Sequence, residues 1–286
     1  MLGKLMKYDM KYMARVLPWI YLGAVAVSLV ISLFGALSAY SGSEALLVFS
    51  VLGVMPLYLL IAAISVCSMI FMMIRIYKNM FADEGYLTFT LPVKTNSVIW
   101  SKLLTGAVWN FVGGAVTLAV ILLPVTIILS AYASVDPGVA SEIAFVFDSF
   151  GEISEILPQL GLWKTVVVSV LSLIVGLFSG NALFMLSCCL AQKLNKNRGL
   201  AAVGIFLGFN FLHTIVNSAA TRIAVSPFVF GSMLTEDMDV YVSTITDKLS
   251  AMSFSASLSM LLISAAVTVL SIYFSCRIVK NKLNMI

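Results

Sequence analysis

Six stretches of this chain run for 18 or more residues without an aspartate, glutamate, lysine or arginine: Val16–Ser43, Ala45–Ile74, Leu103–Val135, Thr165–Gln192, Gly199–Thr221 and Leu249–Cys276. Crossing a hydrocarbon core takes roughly 20 apolar residues at about 1.5 Å each. A charge at the bilayer centre costs ~2.5–3.5 kcal/mol on insertion scales, so the uncharged runs mark where lipid is tolerated. All six are rich in Leu, Ile, Val, Phe and Ala. In lipid only helices and closed barrels satisfy every backbone group, and barrel strands alternate polar with apolar residues. These runs do not alternate, so they predict an all-α integral membrane protein with six transmembrane helices. Composition agrees: of 286 residues 61% are hydrophobic and 10% charged, against about 25% charged in a soluble domain.

The expected organisation is a single transmembrane domain over residues 1–286. It comprises an interfacial helix at 1–17, spans at about 18–40, 46–74, 103–132, 165–191, 199–220 and 251–275, a loop at 75–102, and outer loops at 133–164 and 221–250. No stretch between the runs reaches the ~50 residues of a separate folded module. The first run also exceeds the ~7–15 apolar residues of a signal-peptide core.

Charge is sorted by side. Six spans place 14 of the 17 basic residues on one face of the membrane, leaving Lys164, Arg222 and Lys248 on the other. The acids run oppositely: Asp9, Asp83 and Glu84 lie on the basic side and the other ten face it across the bilayer. Lys and Arg concentrate on the cytoplasmic side of membrane proteins, which predicts cytoplasmic N and C termini. A pI near 8.8 therefore reflects sidedness rather than a basic surface for nucleic acid. Cys67, Cys188, Cys189 and Cys276 fall within spans, toward their basic ends, so no disulfide framework is implied.

At ~100° per residue, Lys4, Lys7, Lys11 and Arg15 share one stripe, with Leu2, Met6, Met10, Met13 and Leu17 opposite. That pattern is a basic amphipathic helix suited to the headgroup layer. The loop Arg75–Lys102 is longer than two antiparallel helices need and keeps apolar residues, among them Met80, Phe81, Tyr86, Leu87, Phe89 and Leu91. It reads either as a docking element for a cytoplasmic partner or as a loop packed on its own helix ends. The stretch FVFDSFGEISEIL in the first outer loop is acidic and amphipathic, and the 13 uncharged residues Ile223–Thr235 are too few to span. Both could close an outer gate or simply cap the bundle.

Within the spans, Asn210, His213, Thr214, Asn217 and Thr221 lie on one arc of about 100° at helical spacing. With Asn110 and Asn181 they line a pathway, or they serve as interhelical hydrogen bonds worth ~0.6 kcal/mol each. Ser172, Gly176 and Gly180 form a small-residue ridge for helix packing. No carboxylate sits at the centre of a span, as an ion-coupled carrier would need. An intramembrane serine protease would have to use Ser179 with His213, and GLFSG lacks the rhomboid-type G-x-S-G spacing. There is no Walker A, zinc, haem or dinucleotide motif. No catalytic, cofactor-binding or metal-binding residue is expected.

The run FADEGYLTFTLPVKTNSVIWSKLL, 81–104, resembles a segment common in permease subunits of ABC-2 type transporters from Gram-positive bacteria. The shared part is D-E-G-Y-L-T-x-T-L-P followed by a Ser-Lys pair entering the third span. The amphipathic N-terminal helix, six spans and long second-to-third loop resemble that family too. The resemblance implies that 75–102 carries a coupling helix, with Asp83, Glu84, Gly85, Tyr86 and Leu87 at the docking contact for a separate ABC ATPase. It implies an assembly of two permeases and two ATPases in a bacterial plasma membrane. ATP-Mg would be bound by the partner, and the cargo would be an amphipathic or antimicrobial peptide, a toxin or a drug moved outward. A membrane immunity or sensor protein without transport activity is the alternative.

Overall fold

The computed structural model describes residues 2–81, 95–159, 163–194, 198–231 and 238–282. Its regular elements are all helices: α1 (Leu2–Met13), α2 (Leu17–Ser41), α3 (Glu44–Phe81), α4 (Thr95–Val135), α5 (Pro137–Gln159), α6 (Trp163–Ala191), α7 (Arg198–Gly231) and α8 (Met238–Lys282). No strand occurs among the described residues.

Six of these helices contain a window long and apolar enough to cross a membrane, at Leu17–Ser41, Met55–Phe81, Asn96–Val135, Trp163–Ala191, Arg198–Ser226 and Ser250–Lys280. Only 11–28% of the residues in each window are buried. Leu22, Leu52, Leu118, Leu173, Leu200 and Leu262 all point outward. Large apolar patches of that extent are not left to water. The chain therefore has the character of a multi-pass membrane protein whose exterior is solvated by lipid.

The helices outrun the apolar windows that predict them. Arg75 and Lys78 do not stop α3, which continues to Phe81, and α4 begins at Thr95, well before Lys102. The reason is packing: Ile76, Met80, Val98, Ile99 and Leu103 are almost wholly enclosed. Much of the expected loop 75–102 is therefore helix, and 82–94 lie outside the described residues. Residues Pro137–Gln159 of the expected outer loop are also helical. Asp136 opens that helix, its Oδ1 accepting the Gly138 N–H at 2.8 Å, with Pro137 in the first turn where its missing N–H costs nothing.

Packing divides the chain into two compact units. The first joins Gly3–Ile74 to Val108–Glu152. In it α2 ends on Gly42, whose φ of +63° closes the helix through an N–H bond to Ser38 O at 3.0 Å. Only Gly42 and Ser43 separate α2 from α3. Glycine takes this left-handed backbone without steric cost. Three hydroxyl contacts tie α2 to α4: Ser28 to Val120 O at 2.9 Å, Ser38 with Tyr132 Oη at 3.0 Å, and Ser134 to Tyr40 Oη at 3.2 Å. The first has a specific cause. Pro124 sits inside α4 and has no N–H for the carbonyl four residues back, which is that of Val120. Ser28 Oγ donates to that freed carbonyl in a fully buried setting, so a neighbouring helix repairs the break. Next to this seam, the Tyr21 and Trp109 rings meet at a tilt of 44° with centres 6.4 Å apart.

The second unit joins Arg75–Ala107 to Ile153–Ile286, with the first two residues. Its centre is the basic-side half of α6: Ala182, Leu183, Phe184, Met185, Cys188 and Cys189 are buried there. Phe184 meets Phe206 of α7 edge to face at 5.6 Å. Gly106 of α4 lies directly against the Asn181 side chain, where an added Cβ would overlap the amide. In α8 a run of hydroxyls folds back on its own helix: Ser253, Ser255, Ser257 and Ser259 each donate to the carbonyl three residues earlier. Thr268 and Ser275 do so to the carbonyl four residues earlier.

Candidate functional site

The sequence points to three places: a docking loop, a polar face on α7, and two isolated amides. Asp83, Glu84, Gly85, Tyr86 and Leu87 lie outside the described residues. The helix ends on either side of them are described, and both are clamped: Ile76 and Met80 on one, Val98, Ile99, Ser101 and Leu103 on the other, all at 1% exposure or less. Ser101 and Thr105 satisfy their hydroxyls on their own helix, at 2.7 and 2.8 Å. Lys102 is buried and engaged. The Ser-Lys pair of the sequence motif thus lies in a packed helix.

The polar face of α7 divides. His213 is half-buried, and its Nε2 stands 3.5 Å from Ser264 Oγ of α8. Asn210 is half-buried and donates to Phe206 O at 3.2 Å on its own helix. Asn217 is half-buried, and its Oδ1 is enclosed with no hydrogen-bond partner among the described residues. Thr214 points outward and bonds Asn210 O at 2.9 Å, while Thr221 bonds Asn217 O at 2.9 Å. Further along, Ser255 of α8 reaches Ala224 O of α7 at 3.2 Å. Asn210, His213 and Asn217 therefore belong to one seam, and two hydroxyl contacts join it to α8. Asn181 is in the same unit but on α6, where it is buried against Gly106 and donates to Leu177 O at 3.3 Å. Asn110 belongs to the other unit, is exposed, and makes an interaction of its own.

One feature escaped the sequence. A cavity of about 640 Å³ opens among α6, α7 and α8, walled by Leu183, Leu186, Phe209, Val267, Leu270 and Phe274. Lys193 and Arg277 stand at one end of it. The available signal was spacing: both cations follow three apolar residues at helical intervals on different spans. Which spans face each other is not written in either one.

Chemically the seam consists of amides, hydroxyls and one imidazole, that of His213. Among the described residues no group of three His, Cys, Asp or Glu side chains could hold a metal ion. Cys67, Cys188, Cys189 and Cys276 are free thiols. The histidine contacts Ser264, and buried Ser179 makes its place on α6. This arrangement can hold helices together and offer hydrogen bonds within the membrane. The chain matches no family model, no curated protein and no solved structure.

Proposed function

We propose that this chain is the membrane-spanning permease subunit of an ATP-driven exporter of the ABC-2 type. In this reading it works as a dimer with two copies of a separate ABC ATPase in a bacterial plasma membrane. The cargo is an amphipathic or antimicrobial peptide, a toxin or a drug. The carrying observation is the setting of residues 82–94. They resemble the family's docking segment, and they join two helix ends that are buried almost completely at Ile76, Met80, Val98, Ile99 and Leu103. A force delivered to those buried helix ends passes directly into the packing of α3 and α4. The chain's own sequence holds no Walker A motif, so ATP-Mg binding and hydrolysis belong to the partner.

The work cycle follows from linkage. ATP closes the paired ATPases, the docked segment moves with them, and spans two and three tilt so that access alternates. ATP drives the change only to the extent that it binds the closed state more tightly. Orientation supports the same reading, because positive-inside sorting puts 82–94 in the cytoplasm.

Co-purification tests it. The wild-type chain should bring down an ATPase with vanadate-sensitive hydrolysis, and Asp83→Lys with Glu84→Lys should abolish that association while leaving membrane insertion intact. A chain that purifies alone, or a charge-reversed pair that still holds its ATPase, defeats the docking claim and leaves the immunity or sensor reading.

A further inference from the structure

The groove among α6, α7 and α8 has a polarity that neither the export reading nor the packing of the bundle requires. On α6 its wall is Leu183, Leu186 and Leu190, with Lys193 following in the turn just past the helix end. On α8 it is Val267, Leu270, Ser271 and Phe274, with Arg277 and Ile278 at the end. The apolar positions of each series advance by three or four residues, so each is a single stripe along its helix. Each covers ten residues from first apolar position to cation, which at 1.5 Å per residue is about 15 Å. Half of a ~30 Å hydrocarbon core is the same length. Both stripes run from apolar residues to a cation in the same direction as their expected exit from the membrane on the basic side.

Charge narrows what fits. Residues 156–235 contain no aspartate or glutamate, and none follows Asp247. The acids nearest in sequence on α8, Asp239 and Asp247, lie at its far end. Lys193 and Arg277 are both exposed at the mouth, and Arg198 and Lys280 add positive charge at the same end. A cationic peptide is repelled by such a rim, and an uncharged guest leaves it unused. An acyl chain with a phosphate at its head matches both the length and the sign. Basic pockets between helices on the cytoplasmic side of membrane proteins recognise anionic headgroups by this means.

We propose that the groove binds one anionic phospholipid from the leaflet on the chain's basic side. Its acyl chain runs along Leu183–Leu190 and Val267–Phe274, and its phosphate sits between Lys193 and Arg277. Arginine supplies a forked donor pair for two phosphate oxygens and lysine a point charge beside it. The cavity of about 640 Å³ lies within the ~300–1,000 Å³ of ligand pockets. The inference rests on the groove and on membrane insertion, and stands apart from any ATPase.

Native mass spectrometry of the full chain in detergent provides the test, with phosphatidylglycerol and phosphatidylcholine of identical acyl chains offered together. Phosphatidylglycerol should be retained preferentially. Lys193→Ala with Arg277→Ala should weaken its retention about 25-fold, at about five-fold per cation, and leave phosphatidylcholine unchanged. Lys193→Arg with Arg277→Lys should keep the preference. Leu186→Trp, which fills the apolar wall, should reduce retention with both cations present. Equal retention of the two lipids, or no loss in the double alanine variant, overturns the proposal. So does efficient disulfide cross-linking of two copies through Leu186→Cys, which would make the groove a dimer contact. If the double variant does not fold, wild type decides: the preference must collapse between about 0.1 and 1 M salt as screening shortens, and a preference that survives is equally fatal.

Discussion

Ser28 and Pro124 show how a single residue repairs a fault made by another. Proline deprives Val120 O of its helical donor, and a serine 92 positions away in sequence supplies one. Neither residue stands out in the sequence, where Pro124 interrupts an apolar run and Ser28 is one small polar group among many. Removing the hydroxyl leaves a buried carbonyl unpaired, which costs about 1–3 kcal/mol. Ser28→Ala should therefore lower the unfolding temperature in detergent clearly. In a Pro124→Ala background, where the helix regains its own donor, the same change should cost less than half as much. Equal losses in both backgrounds would mean that the serine acts by packing alone. Asn181 and Gly106 make the opposite kind of pair, in which contact depends on an absent side chain. Asn181 stands out in the sequence as a buried amide, but its partner on α4 does not, since the meeting of two spans is a tertiary fact.

At the scale of elements, the sequence located helices better than it located their ends. A lysine or arginine stops an insertion window, yet it does not stop a helix. Arg75, Lys78 and Lys102 interrupt the uncharged runs of the sequence, while α3 and α4 continue through them on the strength of Ile76, Met80, Val98 and Ile99. Residues 137–159 are legible in the sequence as an acidic amphipathic stretch, but the length of their helix is not, because their acids break the long uncharged pattern that marks a span. The polar face of α7 was legible as a periodicity, but its division between His213, turned to Ser264, and Thr214, turned outward, depends on where α8 packs. That helix has a mechanical property of its own. Hydroxyls that bond back to carbonyls within the same turn loosen a helix slightly and let it bend. Ser253, Ser255, Ser257 and Ser259 place this chemistry at every second position of one segment. Ser257→Ala with Ser259→Ala should slow amide hydrogen exchange over residues 255–263, at roughly 0.5 kcal/mol per site from propensity. Unchanged or faster exchange would show that the serines are inert there.

At the scale of the whole chain, sidedness is the property most open to a decisive measurement. In a cysteine-free background, Lys4→Cys and Lys280→Cys should be shielded from a membrane-impermeant thiol reagent in intact cells, and Glu142→Cys should react at once. All three positions are exposed, so access is set by the bilayer rather than by packing. Labelling of Lys4→Cys without permeabilisation would invert the chain and take the 82–94 segment away from any ATPase. The six-span count and the charge asymmetry were readable from composition along the chain, whereas the division into two packing units was not, because it cuts through α3 and α4. The left-handed turn at Gly42 bears on how this molecule is made. Because only Gly42 and Ser43 separate α2 from α3, the two helices leave the ribosome with almost no linker between them. The turn between them carries a single carboxylate, that of Glu44, so almost no polar chain stands between one apolar helix and the next.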